Sequence, residues 1–513
     1  MTAARVLMVQ GTASSVGKST LTAALCRIFL QDGMRVAPFK AQNMSNNSYL
    51  TPDGGEVGRA QAIQARAAGV ELSTDMNPVL LKPEADNRSQ VIVNGRSRGS
   101  MSARQYFKLK PALWADVTSA LDRLRARFDV VVVEGAGSPA EVNLRAADIA
   151  NMSVALYANA PVMLVGDIDR GGVFASLLGT LELLVPEERA LVKGLVINRF
   201  RGDRSILEPL PQMIAARTGV PVVGVVPFIP DLGLADEDSA SIGDQQSGHG
   251  RAGSMKAAVI KLPHISNFDD FDPLRRAGVE VQWASTHGHL IGAHIIILPG
   301  TKSTISDLRW LKAHGLDEAL SAAHRRGAAV LGICGGYQML CERLEDPLGA
   351  DTGTPGSEVG LGMLPGTTVF HREKTTRRIE FHISPNSGML AGHAAVSGYG
   401  YEIHTGHTNR GDIDPDRGNG LAPITIDGKP DGATSHDGWV MGTYVHGLLD
   451  NPAVLSLLLG NIARKHGLDV PVVPAFSIEG ELDRLTAIVR GSLDMKLISS
   501  FISSEVPKAN GAA

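Results

Sequence analysis

The sequence predicts an α/β protein made of two parallel-sheet units in tandem, on three observations. Apolar segments of strand length, each ending in glycine or a polar residue, recur along the chain with helix-like stretches between them. The series breaks at DEDSASIGDQQSGHGRAGSM, a Ser-, Gly- and charge-rich text that starts at Asp236, and a second series begins beyond it. Glycine is abundant at 57 residues while aromatics make up only 5%, a balance that suits many tight turns between strands and helices. The units are placed at 1–240 and 256–450, with a linker over 241–255 and a helical extension with a polar tail over 451–513.

The first series reads VLMVQ (6–10), VVVVE (130–134), PVMLVGDID (161–169), GLVINRF (194–200) and PVVGVVP (221–227). Near-continuous apolarity implies burial on both faces, as in a parallel sheet between helices. Directly after the first strand comes GTASSVGKST, and then a helix with apolar Leu21, Leu25 and Ile28. A glycine-rich turn there aims backbone N–H groups and a helix N-terminus at phosphate. Gly11, Thr12, Gly17, Lys18, Ser19 and Thr20 are thus the expected ATP-binding loop, with Lys18 neutralising charge and Ser19 reaching Mg2+. Five residues separate Gly11 from Gly17 where the common P-loop has four, the longer variant that dethiobiotin synthetase also carries. Glu134, at the end of VVVVE, and Asp53, in TPDGGE, join Ser19 as expected metal ligands, and Asn198 has the donor and acceptor needed to read a nucleobase edge.

The second series is KAAVIKLP (256–263), VEVQWAS (279–285), HIIILPG (294–300) and AAVLGIC (328–334). Its last strand runs into Gly-Ile-Cys-Gly-Gly, where the flanking glycines permit a sharp elbow that presents Cys334 at the start of a helix. A thiol so placed ionises more readily and can act as a nucleophile. Backbone donors for the resulting oxyanion are expected from Gly335 and from Gly300 of LPGTKST, and the base is expected to be His446 of GTYVHG. Cys26 and Cys341 lie among apolar residues on helices and read as packing.

Composition narrows the classes further. Three cysteines in 513 residues give no disulfide framework and point to a reducing compartment, the cytoplasm. The N-terminus lacks an export signal, and no apolar run reaches membrane-spanning length. A net charge of -4 gives no global reason to bind nucleic acid. The sequence sets no oligomeric state.

The motifs GTASSVGKS, APFKAQNMSNNS, GRAQAIQARAAG, EGAGSPAEVNLR, DIANM, LPHISNFDDFDP, LPGTKST, GICGGYQML, GYEIH and GTYVHG, spread from residue 5 to about 450, make the chain resemble the cobyric acid synthases, glutamine-dependent amidotransferases of the cobalamin pathway. The resemblance implies a dethiobiotin synthetase-like P-loop domain followed by a class I glutamine amidotransferase-like α/β domain. It implies ATP- and glutamine-dependent amidation of the b, d, e and g carboxylates of adenosylcobyrinic acid a,c-diamide, with ATP and Mg2+ required, glutamine and a corrinoid as substrates, and Cys334 and His446 as nucleophile and base. Gln338 falls in the glutamine-binding motif, and Lys40 and Asp148 fall in motifs on the substrate side.

One departure stands out. Related glutaminases often continue His-Pro-Glu, the glutamate orienting the imidazole, whereas here the text is His446-Gly-Leu-Leu-Asp450. Asp450 and Glu402 are the candidates to replace it, and without an adjacent carboxylate His446 is expected to be weakly held. Between Met76 and Lys110, seven basic residues (Lys82, Arg88, Arg96, Arg98, Arg104, Lys108, Lys110) face two acids (Glu84, Asp86), a face that would attract a polycarboxylate or simply be a solvated surface. Three alternatives fit parts of the pattern. A cobyrinic acid a,c-diamide synthase would share both domains and amidate other positions. A partitioning-type P-loop ATPase would usually carry a lysine early in its loop, absent from Thr12 to Val16. A plain cysteine hydrolase would turn over glutamine without an acceptor.

Overall fold

The computed structural model describes residues 3–85, 88–230, 232–234, 254–383, 388–392, 395–410 and 421–503. In the first unit, strands β1 (Arg5–Gly11), β2 (Val36–Phe39), β3 (Val130–Glu134), β4 (Val162–Asp167), β5 (Val192–Phe200) and β6 (Val222–Pro227) form one parallel sheet in the order β6-β5-β4-β1-β3-β2. β1 is central, and the strand order reverses beside it, which opens a crevice at the carboxyl ends where such sheets bind ligands. β2 escapes the sequence reading because it is only four residues long and contains Pro38, tolerated because β2 is an edge strand. Helix α1 (Lys18–Gln31) lays Leu21, Leu25, Ile28 and Phe29 on the sheet, all essentially fully buried. The basic segment divides. Lys82 is buried in the strand Val79–Ala85, while Arg88, Arg96, Arg98, Arg104 and Lys108 are exposed on the hairpin and helix that follow.

In the second unit, β7 (Lys256–Ile260), β8 (Glu280–Ala284), β9 (Ile295–Leu298), β10 (Ala329–Ile333), β11 (Ala433–Thr434) and β12 (Val440–Thr443) run in the order β8-β7-β9-β10-β12-β11, all parallel except β11. A long antiparallel pair, Thr367–Ile383 with Val396–Asn409, flanks this sheet and reaches the first unit, where Arg378 donates to the Leu50 carbonyl and Lys374 pairs with Glu56 at 2.5 Å.

The linker expected over 241–255 lies outside the described residues as far as 253, as does the tail beyond 503. The C-terminal helices divide between the two units. Pro452–His466 packs Leu455, Leu458, Leu459 and Ile462 into the second core. Ile478–Ser492 and Met495–Ser503 return to the first unit, where Leu482, Leu485, Val489, Ile498 and Ile502 share a core with α1. No helix of the described residues is long and apolar enough to cross a membrane.

Candidate active site

The phosphate loop leaves β1 at Gly11 and enters α1 through Gly17, whose φ is +97°. A Cβ at Gly17 would lie 2.1 Å from Asn198 Nδ2, so this position requires glycine for its backbone conformation and for its close approach. Asn198, at the end of β5, donates that Nδ2 to the Val16 carbonyl at 2.8 Å. One of the two N–H donors of its amide therefore braces the loop, which leaves the other and the oxygen for reading a base. Lys18 ties the loop to the turn after β3, donating to the carbonyls of Ala13 (2.8 Å) and Gly137 (3.0 Å). Thr12 N–H donates to the Val165 carbonyl, and Thr20 sits half-buried in the first turn of α1.

Glu134 is fully buried at the carboxyl end of β3 and gathers three side chains: Ser19 Oγ at 2.8 Å, Lys40 Nζ at 2.7 Å, and Gln64 Nε2 at 2.6 Å. Gln64 lies on helix α2 (Arg59–Ala67) and went unnoticed in the sequence, where it is one of two glutamines in an alanine-rich helix. A hydroxyl beside a buried carboxylate is a donor set that fits Mg2+, an ion that takes few protein oxygens and keeps its remaining positions for water and phosphate. Asp53 is placed elsewhere, exposed in a turn whose Gly54 faces the Thr376 carbonyl, its carboxylate accepting from Thr51 Oγ1. Asp148 accepts from the backbone N–H groups of Ala150, Asn151 and Ser153, so it caps the start of a helix.

The second centre is assembled at the carboxyl edge of the other parallel sheet. Asp270 follows β7, Gly300 follows β9, Cys334 follows β10 and His446 follows β12, so one sheet edge brings together residues scattered over the chain. Cys334 has φ +52° and ψ -109°, a strained conformation for a non-glycine residue, immediately before the helix Gly335–Leu340. The elbow is locked from below, because a Cβ at Gly336 would lie 2.0 Å from the Leu298 carbonyl oxygen. The thiol lies 3.6 Å from the Ile403 carbonyl and is among the groups that raise the pKa of His446.

His446 is buried, and its Nδ1 lies 2.7 Å from Asp270 Oδ2, while Asp270 Oδ1 accepts from Gly447 N–H at 2.9 Å. Tyr401 stacks on the ring with 5.3 Å between centroids. Burial disfavours the imidazolium, but the charge of Asp270, its hydrogen bond and the contact with Cys334 outweigh this and raise the pKa of His446 to about 10. This overturns the expectation of a weakly held histidine. The orienting carboxylate comes from the FDDF segment 176 residues away, not from Asp450, which faces Arg276 at 3.5 Å, nor from Glu402, which pairs with Arg377. The available signal was adjacent acids between phenylalanines just after a strand, a context that forces carboxylates inward and so demands partners for them.

Gly300 approaches the same ring so closely that a Cβ there would lie 2.9 Å from His446 Cε1, and Gly335 packs against Thr301. Gln338 is a buried strut, accepting from Thr304 Oγ1 at 3.0 Å and donating to the Tyr444 hydroxyl at 3.3 Å. Between Cys334, His446 and Gln338 lies a cavity of about 40 Å³, walled also by Lys82 of the first unit and by Lys302 and Lys374. That is room for roughly one water, so the walls must move to admit an amino acid. Glu56 joins the wall to the first unit. Burial pushes its pKa up, yet the Lys374 and Lys82 ammonium groups, 2.5 and 2.6 Å away, hold it well below the usual carboxylate range.

The two halves match known domain families. Residues 7–242 match a CobQ/CobB/MinD/ParA nucleotide binding domain, and residues 256–454 match a CobB/CobQ-like glutamine amidotransferase domain. The chain thus combines a nucleotide-binding domain with a glutamine amidotransferase domain. A protein of Dehalococcoides mccartyi (strain CBDB1) named cobyric acid synthase is 46% identical over 503 residues, covering 98% of this chain and 100% of its own. The cobyric acid synthase of Sorangium cellulosum is 49% identical over 97% of this chain and 99% of its own, and that of Chloroflexus aggregans 51% identical over 87% and 89%. The chain belongs to the cobyric acid synthase family.

Proposed function

We propose that this protein amidates the b, d, e and g carboxylates of adenosylcobyrinic acid a,c-diamide to give adenosylcobyric acid, using ATP and glutamine. The reading rests above all on one observation: a phosphate loop and a Cys334–His446–Asp270 centre occur together in a chain that matches cobyric acid synthases almost end to end. The synthetase is assigned to 1–240 and the glutaminase to 256–450. All three cysteines are free, which fits a reducing cytoplasm.

In the glutaminase, the Cys334 thiolate attacks the amide carbon of glutamine, with backbone N–H groups around Gly335 and Gly300 meeting the oxyanion. The C–N bond breaks as His446, held by Asp270, gives its proton to the departing ammonia. His446 then takes a proton from water, which attacks the thioester and releases glutamate with the thiol restored. In the synthetase, a corrinoid carboxylate attacks the terminal phosphorus of ATP, giving ADP and an acyl phosphate, and ammonia displaces phosphate to leave the amide. Lys18 neutralises phosphate charge. Ser19 and Glu134 are the residues that would hold Mg2+, which screens the phosphates. Releasing ammonia inside the protein avoids its protonation in neutral water.

Incubation with ATP, Mg2+, glutamine and adenosylcobyrinic acid a,c-diamide, followed by product mass, tests the reading. The expected product has each of the b, d, e and g carboxyls converted to amide. Glutamine hydrolysis with an unchanged corrinoid would overturn it.

A further inference from the structure

Two of the sequence motifs, GRAQAIQARAAG and NFDDFDP, meet across the interface between the units. Arg59 begins α2, the helix whose Gln64 donates to Glu134, yet its own side chain enters the second unit. Its Nε lies 2.8 Å from Asp269 Oδ2, and its guanidinium sits 4.7 Å over the Tyr49 ring. Asp269 immediately precedes Asp270, the partner of His446, and both carboxylates are buried. Asp269 Oδ1 has no hydrogen-bond partner. Adjacent buried carboxylates facing a single imidazole carry one negative charge too many for His446 to balance, and the cation paired with the surplus charge comes from the other unit.

We propose that Arg59 is a positioning residue of the glutamine-hydrolysing centre: by neutralising Asp269 it leaves Asp270 charged and directed at His446. The proposal rests on the glutaminase reading given above. The groups around the Arg59–Asp269 pair support it. From the first unit comes Tyr49, under the guanidinium. From the second come Asp270, His446, Tyr401 and Asp450, the last 4.0 Å from Arg59 and 3.5 Å from Arg276. Burial drives Asp269 toward its protonated form, Arg59 opposes this, and the neighbouring Asp270 reinforces it. Loss of Arg59 would therefore leave the Asp269 charge unbalanced, to compete with Asp270 for the imidazolium, so that His446 holds its proton more tightly.

The test is the pH profile of glutamine hydrolysis by the full chain, with ammonia-supported amidation as the control. Arg59→Gln should lower kcat for glutamine about tenfold and move the profile to higher pH by about half a unit or more, because a cation has been removed. Arg59→Lys should keep the wild-type profile. Asp269→Asn should move it the other way, and combining Arg59→Gln with Asp269→Asn should return it toward wild type. A merely structural role would lower activity without moving the profile. The proposal is overturned if Arg59→Gln and Asp269→Asn both leave the profile in place, or if the double variant fails to restore it. Should Arg59→Gln not fold, the downward shift in Asp269→Asn and the unchanged profile of Arg59→Lys carry the test, and their absence overturns it. Wild type that hydrolyses no glutamine would instead defeat the functional reading itself.

Discussion

Asp270→Asn is the sharpest test of the catalytic centre, because it changes one oxygen to an amide nitrogen in a pair 2.7 Å long. The rise of the His446 pKa from 6.5 to about 10 corresponds to about 5 kcal/mol in favour of the imidazolium, and the leading upward causes are the charge and hydrogen bond of Asp270. If about half of that is expressed while His446 carries the proton in transit, the barrier to glutamine hydrolysis rises by about 2–3 kcal/mol, or about 10²-fold in rate. The loss reaches about 10⁴-fold if the new amide donates to Nδ1 and fixes the wrong tautomer. The sign of the pH effect follows from the same pair. His446 is protonated below its raised pKa and loses the proton above it, so removing the charge of Asp270 should draw the alkaline limb of glutamine hydrolysis to lower pH. The assay is glutamate release against pH, with ammonia-supported amidation unaltered. A loss below about fivefold, or an alkaline limb that stays in place, would refute the assignment of Asp270 as orienter.

Cys334→Ser should abolish glutamine-supported amidation while activity with high ammonium salt persists, and equal loss with both nitrogen donors would sink the nucleophile assignment. Lys18→Ala should cripple amidation with either donor, since it removes the phosphate-site cation and the brace to Ala13 and Gly137; wild-type rates with ammonia would exclude that role. Asp450→Asn, at a carboxylate that faces arginines and not His446, should change glutamine hydrolysis by less than about threefold, measured as glutamate release. Truncation after residue 476 should destabilise the first unit, because it strips Leu482, Leu485, Val489, Ile498 and Ile502 from the core around α1, at about 1.5–3 kcal/mol of burial for each. A melting temperature of the nucleotide-binding unit unchanged by the truncation would contradict this packing.

The sequence by itself determined the parts whose chemistry is local. The phosphate loop is contiguous because successive backbone N–H groups must converge on one anion, and the elbow at Cys334 is contiguous because flanking glycines must turn a strand into a helix within a few residues. The buried strands were legible for the same reason, each carrying its apolar run in one stretch. Tertiary structure alone decided which side chains those parts would meet. Asp270 reaches His446 because β7 and β12 end at the same sheet edge, Gln64 and Lys40 reach Glu134 because separate segments converge on the end of β3, and Arg59 crosses into the other unit. The last two C-terminal helices likewise return to α1 after the chain has passed through the second unit. A buried charge must find its counter-charge wherever the fold provides one, and a parallel sheet brings distant segments side by side at its carboxyl edge, so those pairings carry no fixed spacing for a sequence to display.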